Sequence, residues 1–185
     1  MMTEPLRVLC VCTHNRTRSV LMGGLLQRHF AERDIDAIVS TAGLKPGGEP
    51  AMDRAVRLLA DVGVDVGAHR SRGLSTDCIS AADLVLTAER QHVVSIVGMW
   101  PTAFAHTFTL PEAAERVRAA DTRGTRSVDE WLGGATAALR PTGLDYLDAS
   151  TVGEVDDPTG QSPATWARVF AEIDEMTHTI AAGLW

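Results

Sequence analysis

The chain is poor in cysteine, aromatic side chains, positive charge and long apolar runs, and each scarcity excludes something. Three cysteines, Cys10, Cys12 and Cys78, always leave one over from any pairing, so a disulfide framework is excluded and a reducing, cytoplasmic compartment is expected. Cys10 and Cys12 are read as lying on one strand with side chains on opposite faces. A net charge of −7 argues against nucleic acid or an anionic membrane as partner, because both require a basic face. No stretch is long enough to span a bilayer, and the apolar run after Arg7 is too short for the core of a secretory signal. The patterns G-x-G-x-x-G, G-x-x-x-x-G-K-[ST] and C-x-x-C are missing, and the histidines lack metal-ligand spacing. Neither a nucleotide cradle, a metal site nor an organic cofactor is therefore expected.

What is present is concentrated near the N-terminus, in Arg7-Val-Leu-Cys-Val-Cys-Thr-His-Asn-Arg-Thr-Arg-Ser19. An apolar run from Val8 to Val11 has the length of a buried strand, breaks at Cys12 into a polar loop, and gives way to a helical pattern at about Ser19. Such a loop aims backbone N–H groups at one point, and the helix dipole adds positive potential there. A thiol held at that point is pushed toward thiolate, which makes Cys12 a candidate nucleophile. Arg18 closes a C-x5-R-S pattern and can fork two N–H bonds to an oxyanion. Ser19 is placed to donate to the thiolate. Thr13, His14, Asn15, Arg16 and Thr17 are the loop positions expected to surround a bound phosphoryl group. Cys10 reads as a small buried hydrophobe.

Along the chain of 185 residues, strand and helix patterns alternate. Met22, Leu25, Leu26, His29 and Phe30 share one helical face, with His29 as a satisfied, partly buried histidine. Ala37–Gly43 reads as a strand, about Ala51 to Gly63 as a helix, Ala82–Thr87 as a third strand, Glu89–Met99 as a helix, and Ala105–Leu110 as a fourth strand that includes His106. Trp166, Val169, Phe170, Ile173, Ile180 and Leu184 form the stripe of a closing helix. This alternation predicts an α/β fold: three layers, with a four-stranded parallel sheet covered by helices on both faces. One domain is expected over residues 1–185, with 121–151 as a possible insertion, decorative in role, around a helix from Ser127 to Leu139. Near the C-terminus, Glu154-Val-Asp-Asp-Pro-Thr-Gly160 offers a carboxylate on a fixed turn. A departing alkoxide or phenolate needs a proton, which makes Asp157 the candidate general acid and Asp156 its register alternative.

The signature Val-Leu-Cys-Val-Cys-Thr-His-Asn-Arg-Thr-Arg-Ser resembles that of the low-molecular-weight protein tyrosine phosphatases and their arsenate-reductase relatives. The resemblance extends through Ser40-Thr-Ala-Gly43 and Gly63 to Arg72, and Asp157-Pro158 matches the family's acid. It implies a phosphomonoester hydrolase working through a phosphocysteine on Cys12, with Asp157 as acid and then base, and a phosphorylated protein, phosphotyrosyl by analogy, or a small phosphomonoester as substrate. It further implies that Asn15 fixes the loop backbone, braced by Thr41 and His69. Arg70 and Arg72 are read as a solvated face.

This sequence departs from the family pattern at three places. His14 stands where the phosphatases usually have glycine, a position associated with positive φ, and C-x-H-N-x-x-R-S is similar to many arsenate reductases. Thr17 replaces a second loop cysteine. No tyrosine follows Asp157-Pro158, and no aromatic occupies Leu44-Lys-Pro-Gly-Gly48. Two alternatives therefore stand beside the phosphatase: an arsenate reductase using an external thiol, and a phosphoryl-binding module with weak turnover.

Overall fold

The computed structural model describes residues 4–134, 142–143, 145–148 and 152–184. Four strands, β1 (Leu6–Cys12), β2 (Ala37–Gly43), β3 (Leu84–Thr87) and β4 (Thr107–Thr109), form a parallel sheet in the order β2-β1-β3-β4. Helices α1 (Arg18–Ala31), α2 (Asp53–Asp61), α3 (Thr76–Ser80), α4 (Arg90–Met99), α5 (Leu110–Ala119), α6 (Val128–Gly134) and α7 (Pro163–Leu184) surround it. The three-layer α/β arrangement is the one predicted. From β1 the chain steps to β2 on one side and then crosses to β3 on the other. The reversal falls at β1, and in open parallel sheets the crevice beyond the carboxyl ends of the strands at such a reversal is where ligands bind. The loop after Cys12 occupies that crevice.

Alternation along β1 sorts the core. Leu6, Val8, Cys10 and Cys12 face one cluster with residues of α1, α5 and α7, whereas Leu9 and Val11 face the other, with Ile79 of α3 and Ile96 of α4. Cys10 and Cys12 therefore share a face, contrary to the expectation, because residues two apart on a strand point the same way. The stripes of α1 and α7 are buried as the periodicity predicts, with Leu25, Leu26, Phe30, Val169, Ile173 and Ile180 all inaccessible. One polar contact ties these helices, His29 Nε2 at 2.8 Å from Asp174 Oδ1, while His29 Nδ1 lies 3.3 Å from Glu32 Oε2 at the end of α1 itself.

Other boundaries shift for local reasons. His106 is not on a strand: Pro101 opens a 3₁₀ turn that runs to His106, and β4 begins only at Thr107. The helix expected over Ser127–Leu139 is observed over Val128–Gly134, while 135–139 and Arg140 lie outside the described residues. The described residues of this stretch contribute to the core. Val128, Trp131 and Leu132 are buried in the main core, and the Trp131 indole donates to Asp121 O at 2.6 Å. Arg123 and Arg126 spend their guanidinium groups on backbone carbonyls of the same turn. Among the described residues, no helix is long and apolar enough to cross a membrane.

Candidate active site

The loop from Cys12 to Arg18 rests on the end of β2. Leu44 N donates to Cys12 O and Lys45 N to Thr13 O, and a Cβ on Gly43 would lie 2.8 Å from Asn15 N, so only glycine admits the loop here. Within the loop the left-handed residue is Asn15, at φ 55°; His14 does not take positive φ and sits exposed at the rim. The expected conflict at His14 thus disappears, because asparagine tolerates this region far better than most residues.

Asn15 is buried and every polar group it carries is used. Its Nδ2 donates to Ser19 Oγ at 2.9 Å, its Oδ1 accepts from Arg72 N at 3.0 Å, and its carbonyl accepts from His69 Nε2 at 2.8 Å. His69 therefore braces the loop as the resemblance implies. Thr41 does not reach Asn15: its carbonyl receives Arg72 Nε at 2.6 Å, and the second brace is the Arg72 backbone. Arg72 is accordingly more than a solvated side chain.

Because Ser19 Oγ accepts from Asn15, its hydrogen is directed at Cys12 Sγ, 3.1 Å away, and Asn15 N donates to the same sulfur at 3.2 Å. Two donors converging on one sulfur suit a thiolate better than a thiol. Cys10, behind it, has a thiol pushed up to about 12 by burial and then by the neighbouring Cys12, so it stays protonated. Above the sulfur, α1 begins without a side-chain cap on its first turn, which leaves N–H donors for an anion.

Arg18 is buried, and both of its terminal nitrogens are engaged. Its Nη1 donates to the Glu89 carboxylate and, at 3.2 Å, to Val155 O, and its Nη2 donates to Asp157 Oδ2 at 2.9 Å. Glu89 caps α4 in a reciprocal box with His92, whose Nδ1 accepts from Glu89 N at 3.1 Å. The proton of His92 is thereby placed on Nε2, which donates to Thr13 Oγ1 at 3.1 Å. Burial lowers this imidazole to about 4 against the opposing pull of Glu89, so it is neutral. One chain of contacts, Thr13–His92–Glu89–Arg18, links both ends of the loop.

Asp157 accepts from Thr159 N at 3.0 Å, and Thr159 Oγ1 lies 3.3 Å from Thr17 Oγ1. Partial burial alone would raise its carboxyl, but the Thr159 donors, Arg18 and His14 outweigh burial and hold it below its ordinary value. Asp156 turns away to Arg168 at 2.7 Å. Cys12, Arg18, Asp157 and Thr159 line a cleft of about 250 Å³, walled by His14, Arg16, Thr17 and Met52. Among the described residues, no Phe, Tyr or Trp lines it. Among the described residues, no cluster of side chains fits a metal ion.

The sequence reading missed Glu89, His92, Thr159 and the Arg72 N–H. Only Glu89 and His92 leave a trace, the three-residue spacing of a helix cap directly after a strand.

Residues 7–130 match the family model described as low molecular weight phosphotyrosine protein phosphatase. The probable low molecular weight protein-tyrosine-phosphatase EpsP of Ralstonia nicotianae is 30% identical over 106 residues, 57% of this chain and 70% of that protein. The protein-arginine-phosphatase of Geobacillus stearothermophilus is 34% identical over 110 residues, 58% and 71% of the two chains. Among solved structures, the low molecular weight protein tyrosine phosphatase from T. tengcongensis superposes with a TM-score of 0.70 at 25% identity, covering 95% of this chain and 97% of the other.

Proposed function

Because the chain belongs to the low-molecular-weight phosphotyrosine protein phosphatase family and is a phosphoric monoester hydrolase, we propose that it hydrolyses phosphotyrosyl groups on proteins in two displacements at Cys12. The Cys12 thiolate attacks phosphorus in line and forms the S–P bond as the P–O bond to the leaving group breaks. Arg18 and the backbone N–H groups of Thr13 to Arg18 hold the equatorial oxygens, where charge gathers in the transition state. Asp157 gives its proton to the leaving oxygen. Water then attacks the phosphocysteine, Asp157 takes the proton of that water, and the sulfur departs as thiolate, steadied by Ser19. Phosphate is released. Each proton and electron pair comes from a side chain or from water, so the scheme calls on no cofactor.

Asp157 is held ionised while it touches Arg18. A bound phosphate dianion takes over Arg18 Nη2 and adds negative charge beside the carboxyl, and both changes favour the protonated acid that the first step needs. The observation that carries the reading is the pair of donors on Cys12 Sγ, in the same cleft as Arg18 and Asp157.

Phosphotyrosine is preferred to phosphoarginine, although one relative is named a protein-arginine-phosphatase. Arg16 forms part of the wall and opposes a second guanidinium, while Met52 gives a ring an apolar contact. Arsenate reduction by an internal relay is disfavoured. Cys78 lines a separate groove from Cys12, among Arg7, Val8, Ile38 and Ser40. A nucleophilic thiol without a disulfide partner suits a reducing compartment, and we place the protein in the cytoplasm.

The test is hydrolysis of p-nitrophenyl phosphate with arsenate as competitor. Turnover that arsenate inhibits, and that falls by about a thousandfold or more in Cys12→Ser with phosphate binding retained, is expected. Near-normal turnover in Cys12→Ser would sink the assignment.

A further inference from the structure

A second groove opens beside the catalytic cleft and shares two walls with it, Arg16 and Met52. Arg54 and Arg57 of α2 line its floor, one helical turn apart on the same face, and Trp166 of α7 closes its far side. The join is rigid: Met52 N donates to Arg16 O, and Arg16 Nε donates to Pro50 O at 2.8 Å. That bond fixes the Arg16 stem, and among the described residues both terminal nitrogens of its guanidinium have no protein partner.

Several other arginines are spent on carboxylates, Arg28 on Glu32, Arg90 on Glu154, Arg118 on Glu175 and Arg168 on Asp156 and Glu172, and Arg70, Arg72, Arg123 and Arg126 on backbone carbonyls. Among the described residues, Arg16, Arg54 and Arg57 make no ion pair, and the one acid lining the groove, Asp53, is exposed. Three guanidinium groups against one carboxylate leave the groove cationic on a protein whose net charge is −7. Without such a local field, the protein as a whole would repel an acidic substrate.

We propose that this groove is a subsite for carboxylate side chains flanking the phosphorylated residue, so that the preferred substrates are acidic phosphopeptide segments. The proposal rests on the phosphatase reading. The phosphoryl group occupies the Cys12 loop, the neighbouring residues run over Arg16, and an Asp or Glu one to a few positions away meets the fork of Arg54 or Arg57, whose geometry fits a carboxylate. Selectivity then comes from charge, beside a catalytic cleft whose described lining holds no Phe, Tyr or Trp.

The experiment compares kcat/KM for two phosphotyrosyl peptides that differ only in Glu against Gln at the flanking positions, with p-nitrophenyl phosphate alongside. The acidic peptide is expected to be favoured about tenfold at low salt, equivalent to about 1.4 kcal/mol, through KM rather than kcat. The ratio should fall to about twofold in Arg54→Gln/Arg57→Gln and in the exposed single variant Arg57→Glu, and added salt should erode it in the wild type. A ratio near one in the wild type overturns the subsite, as does a ratio that survives these substitutions, or turnover of p-nitrophenyl phosphate with neither peptide accepted. Loss of all Cys12-dependent turnover on every substrate would instead bring down the phosphatase reading itself.

Discussion

The two sides of the cleft are built on different principles. On the nucleophile side, Cys12, Asn15, Arg18 and Ser19 are buried, and the donors and acceptors of Asn15 are all taken by Ser19, Arg72, His69 and Cys12. On the acid side, Asp157 has a side chain 46% exposed and is held by Thr159 and by Arg18. The contrast follows from what each side must do. A thiolate leaving group and a bound phosphoryl group need donors that stay in place through both steps. In the proposed mechanism the acid gives up Arg18 when substrate arrives and then faces water. Rigidity at one side and an exchangeable contact with Arg18 at the other are what the proposed two-step displacement calls for.

Removing the acid should break the comparison most visibly. Asp157→Ala is expected to cost about 10²–10⁴-fold in kcat with an alkyl phosphate, and clearly less with p-nitrophenyl phosphate, whose leaving group needs little help. Equal losses on both substrates would move the acid elsewhere, and Asp156, bonded to Arg168, is the residue to examine next. The rigid side answers differently. In Asn15→Ala the φ of 55° becomes strained and Ser19 Oγ loses the donor that turns its hydrogen toward sulfur. Expected are a loss of about 1–3 kcal/mol in unfolding free energy and a fall of roughly ten- to a hundredfold in kcat on every substrate alike, read by urea titration and by paired assays. A substrate-dependent loss in Asn15→Ala would erase the distinction between the two sides.

Much of this was legible in the chain because it is local. The strand, loop and helix around Cys12 lie within one short run, and the turn at Asp157-Pro158 carries its own signal. The α7 stripe follows from a period of 3.6 residues. What escaped is non-local or anonymous. Glu89 and His92 reach Arg18 and Thr13 across 71 and 79 positions, a separation that no spacing pattern records. The second brace of Asn15 is a backbone N–H, which any residue other than proline could supply at position 72, so no residue type advertises it. The five residues of α3 are too few to display a period. The segment around Trp131, expected to be decorative, is rich in glycine and alanine, yet the indole fills the core beside α7.

His92 sharpens the comparison from the rigid side, where it acts through Thr13 and Glu89 without facing the substrate. Its imidazole is lowered from 6.5 to about 4 by burial, so between those values the unfolded chain binds a proton that the folded protein refuses. Stability therefore rises with pH across this window and is lost as pH falls from about 6.5 toward 4. The full contribution is at most about 3 kcal/mol, from 1.36 kcal/mol per unit. Urea unfolding at pH 7 and pH 5 should show this loss in the wild type, and a flatter profile in His92→Gln, which can still bridge Glu89 and Thr13 but cannot titrate. The same variant should keep kcat within a few-fold at pH 7. A wild-type profile as flat as that of the variant would mean that the imidazole is charged in the folded state. Nε2 and Nδ1 would then both donate, the cap on α4 would lose its acceptor for Glu89 N, and Arg18 would share Glu89 with a second cation.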